Sequence, residues 1–341
     1  MRNLAASRSS TGQSSPPSEV SATYTSHKAK RSYADHSVTD DASLPLLNPS
    51  VFGIERTICC HRAGVSGTHV PNSLAAIDEC LAAEVPRLEI DVRFLADDSV
   101  VVFHDASLEP DTTGTGAVDT FTREDLSTVV HRSDGVTGLC FLEDVVERLR
   151  GRTTILQVDL KPLGHLSDSR LRILEQILAP IADHVLVGSQ AHWNLRRMRG
   201  LPVALDPALQ WRYQPERELP GTPQSMGTYG LWDDSPLARS PFVTAPEYIE
   251  SRIDDLVGLL PAAVEWMVDI ETVLHLEMLG VRLGEALAAR RIQLSAWTLQ
   301  AHHGDPQPLL TALFGAGVTT VITDIPLQVA AAATRIGVAA A

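Results

Sequence analysis

Two acids, Glu89 and Asp91, stand two residues apart in residues 87–105, RLEIDVRFLADDSVVVFHD, inside an otherwise apolar run. In an extended chain successive side chains point to opposite faces, so these carboxylates share one face while Leu88, Ile90 and Val92 fill the other. Two unpaired carboxylates in a core are costly, and a cation between them resolves the cost. Mg2+ and Ca2+ are hard ions that take oxygen ligands of this kind. The chain then turns at Asp97-Asp98, and a second extended run ends at His104. The two-residue spacing returns in TTILQVDLKP, where Asp159 and Lys161 share a face before Pro162 ends the run. A solvated edge strand is the competing reading of Glu89 and Asp91, and the apolar flanks argue against it.

These residues need elements that bring them together. From Thr57 onward strands and helices alternate. RTICCHR reads as a strand, and Asn72 is expected to cap a helix over NSLAAIDECLAAE with a stripe of Leu74, Ile77, Cys80 and Leu81. FLEDVVERLR and SDSRLRILEQILAP read as amphipathic helices, and LHLEMLGVRLGEALAARR as one long helix. Strands begin near residues 57, 88, 155, 184, 202, 265, 292 and 320. Eight strand–helix units predict an α/β chain folded as a TIM (β/α)8 barrel over residues 51–341, with an open doubly wound sheet as the alternative. Residues 1–50 are rich in Ser and Thr, lack sustained periodicity, and predict a disordered N-terminal arm. Residues 210–241 interrupt the rhythm with Pro, Gly and aromatics expected to be exposed, the mark of a functional or mobile loop. Gly114-Thr115-Gly116 lacks the spacing of a dinucleotide fingerprint and reads as turn chemistry.

Composition narrows the class. The chain has 341 residues, 44% hydrophobic and 21% charged, enough for a large core. A net charge of −14 argues against a nucleic-acid partner, though not against a small phosphate ester. Cys59, Cys60, Cys80 and Cys140 do not form the pattern of a secreted disulfide framework. The N-terminus lacks the apolar core of a signal peptide, and no run reaches membrane-spanning length, so a cytoplasmic, reducing location is expected. His302-His303 lie in a polar stretch without ligand spacing and read as solvated. Cys59 and Cys60 read as strand packing.

In a barrel, chemistry sits where strands run into the loops at the C-terminal face. His61, Glu89 with Asp91, His104, Asp159 with Lys161, and Trp297 all fall at that end. Their surroundings resemble the glycerophosphodiester phosphodiesterase family. The resemblance rests on His61-Arg62, NSLAA at 72–76, LEIDVRF, VVFHD, LEPDTTGTG, VDLK at 158–161, AWT around Trp297, and VITDIP near the end.

The resemblance implies a TIM barrel that hydrolyses a glycerophosphodiester, or a lysophospholipid-like diester, to a phosphomonoester such as glycerol 3-phosphate and an alcohol. It further implies that Glu89, Asp91 and Asp159 hold a divalent metal, Mg2+ or Ca2+, and that His61 and His104 form the acid–base pair. Arg62 and Lys161 would contact phosphate oxygens, and Trp297 would wall the substrate. Histidines near pKa 6.5 suit both proton transfers at neutral pH. Two positions depart from the family pattern. Val70-Pro71-Asn72-Ser73 stands where Pro-Glu-Asn-Thr is usual, and Asp159 stands where Glu is usual. Asp-Leu-Lys is similar instead to the sphingomyelinase D branch, which forms cyclic phosphates. Cyclisation or diester synthesis therefore stays open beside hydrolysis, as does a non-catalytic binding barrel.

Overall fold

The computed structural model describes residues 50–51, 54–215, 230–232 and 235–339. The expected N-terminal arm lies outside the described residues up to residue 49. A short antiparallel pair, Ser50–Val51 with Ile54–Glu55, precedes the main body.

The eight expected strands are all present: β1 Thr57–Cys60, β2 Arg87–Phe94, β3 Ile155–Leu160 and β4 Val185–Ser189, followed by β5 Val203–Leu205, β6 Ala263–Asp269, β7 Gln293–Leu299 and β8 Thr320–Thr323. Each pairs in parallel with the next, β8 pairs with β1, and β1 pairs with β2, so the sheet closes into a (β/α)8 barrel. Val100–Val102 folds back antiparallel on β2 after the turn at Asp97-Asp98, and delivers His104 to the same end of the barrel.

Helices cover the outside: α1 Leu74–Ala82, α2 Leu142–Leu149, α3 Asp168–Leu178, α4 His192–Leu195 and α5 Ala245–Leu259, then α6 Ile270–Met278, α7 Leu283–Ala288, α8 Pro306–Gly315 and α9 Pro326–Ala339. Several start where a Ser, Thr or Asp side chain accepts an early backbone N–H, as do Ser167, Thr244, Asp269 and Asp305. Leu88, Ile90 and Val92 of β2 pack outward against this layer, in one core with Ile77 and Leu81 of α1 and Leu142 and Val145 of α2. Among the described residues, no helix is long and apolar enough to cross a membrane.

Three expectations need correction. Asn72 does not cap α1: its φ is +62°, and Ser73 accepts the Ala76 N–H instead. The expected long helix after β6 is two helices, α6 and α7, because Gly280 with φ +78° ends the first. Of the aromatics in residues 210–241, Trp211 and Trp232 are buried, Trp211 edge-on to Trp266 and Trp232 stacked on Tyr248. Residues 216–229 and 233–234 of that loop lie outside the described residues.

Candidate active site

Alternation along the strands sends every second residue into the barrel, and the inward set forms three levels. At the base, Arg87 donates to both oxygens of Glu265 at 2.8 and 2.9 Å and to Gln157 at 2.6 and 3.0 Å. Ser295 donates to the same Glu265. An apolar plug follows: Cys59, Leu186, Ala204, Met267 and Ile322, with Trp297 packed on it. Gly188 leaves the space Met267 fills, since a Cβ there would meet the Met267 Cε at 2.2 Å. Above the plug, the strand ends carry His61, Asp91, Asp159, Asp206, Asp269, Trp297 and Asp324.

Glu89, Asp91 and Asp159 converge, with ligand oxygens all within 4.8 Å of one another. Glu89 and Asp91 are 2% and 0% exposed, so water solvates neither carboxyl. Parallel registry of β2 with β3 sets Asp91 beside Asp159. The backbone N–H of Arg62 donates to Glu89 at 2.8 Å, a geometry permitted by the left-handed φ of +53° at Arg62. Asn72 holds Asp91 from both sides: its Nδ2 donates to Oδ2 at 2.8 Å, and its Oδ1 accepts the Asp91 N–H at 3.2 Å. Lys161 Nζ reaches Asp159 at 2.6 Å and Asp91 at 2.9 Å, and Arg62 Nε lies 3.2 Å from Asp91.

The charges divide unequally. Burial, and then the Asp91 charge, push the Glu89 carboxyl up to about 8. Burial would raise Asp91 too, but Lys161, Arg62, His104 and His61 outweigh it and hold that carboxyl well below the usual range. Lys161 is part-buried, which would lower its pKa, yet Asp159, Asp91 and Glu89 hold it above its ordinary value. A trio of oxygen donors, one kept neutral only by desolvation and a neighbouring anion, fits a hard divalent cation: an added cation removes the reason for that proton.

Both histidines have Nδ1 on an aspartate. His61 Nδ1 lies 2.6 Å from Asp324 Oδ1, and His104 Nδ1 lies 2.6 Å from Asp105 Oδ1. A carboxylate only accepts, so each Nδ1 carries the proton and each Nε2 is the working nitrogen. His61 Nε2 points inward, 3.9 Å from Glu89 Oε2. Burial lowers the His61 pKa, but the hydrogen bond to Asp324 heads the contributions that raise it, and the net shift is a rise. Gln300 fixes Asp324 from behind at 2.5 Å. Arg93 donates to the His104 carbonyl at 2.8 Å.

Across the mouth, Trp297 Nε1 donates to the Met267 carbonyl at 3.0 Å, and the Arg212 guanidinium lies over its ring, 5.4 Å from the centroid. Arg212 Nε is 3.5 Å from Asp269. Asp206 accepts from Ala208 N at 2.8 Å and Gln190 Nε2 at 3.1 Å, and burial pushes its carboxyl up to about 7. The structure therefore gathers His61, Arg62, Glu89, Asp91, Asp159 and Lys161 into one cluster, with His104 close enough for its charge to act on Asp91 and Trp297 on the opposite wall. His302 and His303 are exposed, and all four cysteines are buried and unpaired. Sequence reasoning gave no role to Asn72 beyond a cap, nor to Asp105, Asp206, Arg212, Asp269 or Asp324. The strand-end rule finds Asp206, Asp269 and Asp324, each of which lies at or just after the last residue of an apolar strand. Asn72 carries no comparable signal.

The class is thus a parallel (β/α)8 barrel with an acid–histidine site at the C-terminal ends of its strands. The model of the glycerophosphoryl diester phosphodiesterase family matches residues 61–232, half of the chain, and the chain belongs to that family. A curated glycerophosphodiester phosphodiesterase of Bacillus altitudinis is 29% identical over 146 residues, which span 40% of this chain and 59% of that relative. Among solved structures, a glycerophosphodiester phosphodiesterase of Agrobacterium tumefaciens matches with a TM-score of 0.54 at 18% identity, over 81% of this chain and 98% of that one. A phosphodiesterase of Oleispira antarctica, solved with the product sn-glycerol-3-phosphate, gives 0.55 at 17% identity, over 81% and 95%. At these identities the structural likeness speaks for the fold alone.

Proposed function

We propose that this barrel hydrolyses a glycerophosphodiester to a phosphomonoester, such as glycerol 3-phosphate, and an alcohol. The observation that carries the reading is the convergence of Glu89, Asp91 and Asp159 within 4.8 Å, on the same mouth as two aspartate-held histidines. Glu89, Asp91 and Asp159 would hold a divalent ion, Mg2+ or Ca2+, which supplies charge neutralisation at the phosphoryl oxygens. Arg62 and Lys161 add positive charge on the same side and orient the diester. Of His61 and His104, one takes a proton from the attacking oxygen through its Nε2. The other, protonated on both nitrogens, gives its Nε2 proton to the leaving alkoxide. Asp324 and Asp105 hold each ring by its Nδ1–H, so that Nε2 is the nitrogen that accepts in the base and donates in the acid. Trp297 walls the far side. A reducing, cytoplasmic location is part of the same reading.

Purified protein with bis(p-nitrophenyl) phosphate and glycerophosphoglycerol, with and without EDTA, tests the reading, and phosphorus NMR of the products separates hydrolysis from cyclisation. Turnover that EDTA abolishes and a divalent ion restores is expected. Full activity in His61→Ala, or turnover indifferent to EDTA, would sink it.

A further inference from the structure

The wall built on β5, β6 and β7 has a charge pattern of its own. A quaternary ammonium is normally held by an open aromatic face backed by carboxylates. Here the aromatic face belongs to Trp297, and the Arg212 guanidinium lies over it. The nearby carboxylates are engaged. Asp269 accepts from Thr272 N at 3.0 Å and Thr272 Oγ1 at 2.6 Å, as the cap of α6, and faces Arg212 Nε as well. Asp206 accepts from Ala208 and Gln190. Both Arg212 and Trp297 are anchored, the first by Asp269 and the second by the Met267 carbonyl, so their pairing is built into the strand ends.

We infer that the alcohol substituent lying over β5–β7 carries no cationic head group, and that Arg212 is the residue that excludes one. This rests on the phosphodiesterase reading above. A choline placed on Trp297 would have to displace the guanidinium or sit beside a like charge in a partly buried site, where the repulsion is poorly screened. A polyol such as glycerol meets neither obstacle.

The test compares kcat/KM for glycerophosphoglycerol and glycerophosphocholine in the full chain and in Arg212→Lys, Arg212→Gln and Arg212→Glu. The ratio of the two is independent of how much of a variant is folded. The wild-type chain should favour the glycerol diester at least tenfold, and Arg212→Lys should keep that order. Arg212→Gln should narrow the ratio, and Arg212→Glu should bring it to about one or reverse it. Equal use of both diesters by the wild-type chain, or a ratio unmoved within twofold in Arg212→Glu, overturns the inference. If bis(p-nitrophenyl) phosphate is still hydrolysed in that case, the phosphodiesterase reading stands and only the selectivity falls. If no diester at all is hydrolysed, both fall together.

Discussion

Metal binding should be coupled to release of a proton from Glu89. In the metal-free site, burial and the Asp91 charge keep that carboxyl protonated up to about pH 8, and a metal ligand must be deprotonated. Protonation weakens apparent affinity by the factor 1 + 10^(pKa − pH), so affinity should rise roughly 50-fold between about pH 6 and pH 8 and flatten above. Isothermal titration of Mg2+, Ca2+ or Mn2+ in two buffers of different ionisation enthalpy measures both quantities, and close to one proton should leave per ion at pH 6 and about half at pH 8. The same proton governs the metal-free fold. Glu89 has a folded pKa raised above its unfolded value near 4.5, so the folded state retains a proton that the unfolded state has lost. Its contribution to stability is therefore full below about pH 4 and lost as the pH climbs toward 8, by at most about 5 kcal/mol at 1.36 kcal/mol per unit. Saturating metal should flatten that slope in thermal unfolding. Affinity independent of pH, with no proton released at pH 6, would refute the reasoning.

Three further outcomes follow from single contacts. Asp324→Asn removes the charge that fixes and raises His61; kcat should fall about 10²-fold or more with KM little changed, and the His61 titration followed by NMR should move down. Asn72→Ala frees Asp91 on two sides and should weaken metal affinity by roughly 10- to 100-fold, read by the same titration. Gly188→Ala drives a methyl into Met267, so chemical denaturation should show a loss of about 1–3 kcal/mol, which Met267→Ala in the same chain should partly restore.

The barrel was legible because its signals are local and repeated. Each of the eight strands is a short apolar run with a helix pattern behind it, and an error in one would not have hidden the others. The convergence of Glu89, Asp91 and Asp159 was legible for two different reasons: two acids inside the apolar run of β2 contradict their surroundings, whereas Asp159 joins them in the sequence only through the family resemblance. What the sequence concealed depends on long-range pairing. Asp324 is 263 residues from His61, and Asp269 and Arg212 meet only because β6 ends beside the loop after β5. Asn72 looked like a helix cap because Asn favours that position, but its left-handed backbone turns the side chain toward Asp91 and leaves Ser73 to cap. Trp211 and Trp232 were misread as exposed because Pro and Gly around them suggest a solvated loop, whereas their rings are the apolar surface that packs it down.

The layering of the barrel interior explains why the acidic cluster suits a cation. The Arg87–Glu265 pair at the base is internally neutral, each guanidinium–carboxylate contact being answered by Gln157 or Ser295, so it lends little net charge to the level above. Over it, Cys59, Leu186, Ala204, Met267 and Ile322 form a floor that excludes water. Glu89 projects at this depth, close enough for its charge to act on the Cys59 thiol, while Asp91 and Asp159 stand one step higher, where Lys161 and Arg62 reach them. The same strand thus places one acid against an apolar floor and the next among cations. That two-residue step separates a carboxyl whose pKa is raised from one held ionised, so a metal bound between them would have to displace a proton from the first. Replacing the plug with polar residues would admit water beneath Glu89 and lower its pKa, and metal binding would then lose its pH dependence without losing a ligand.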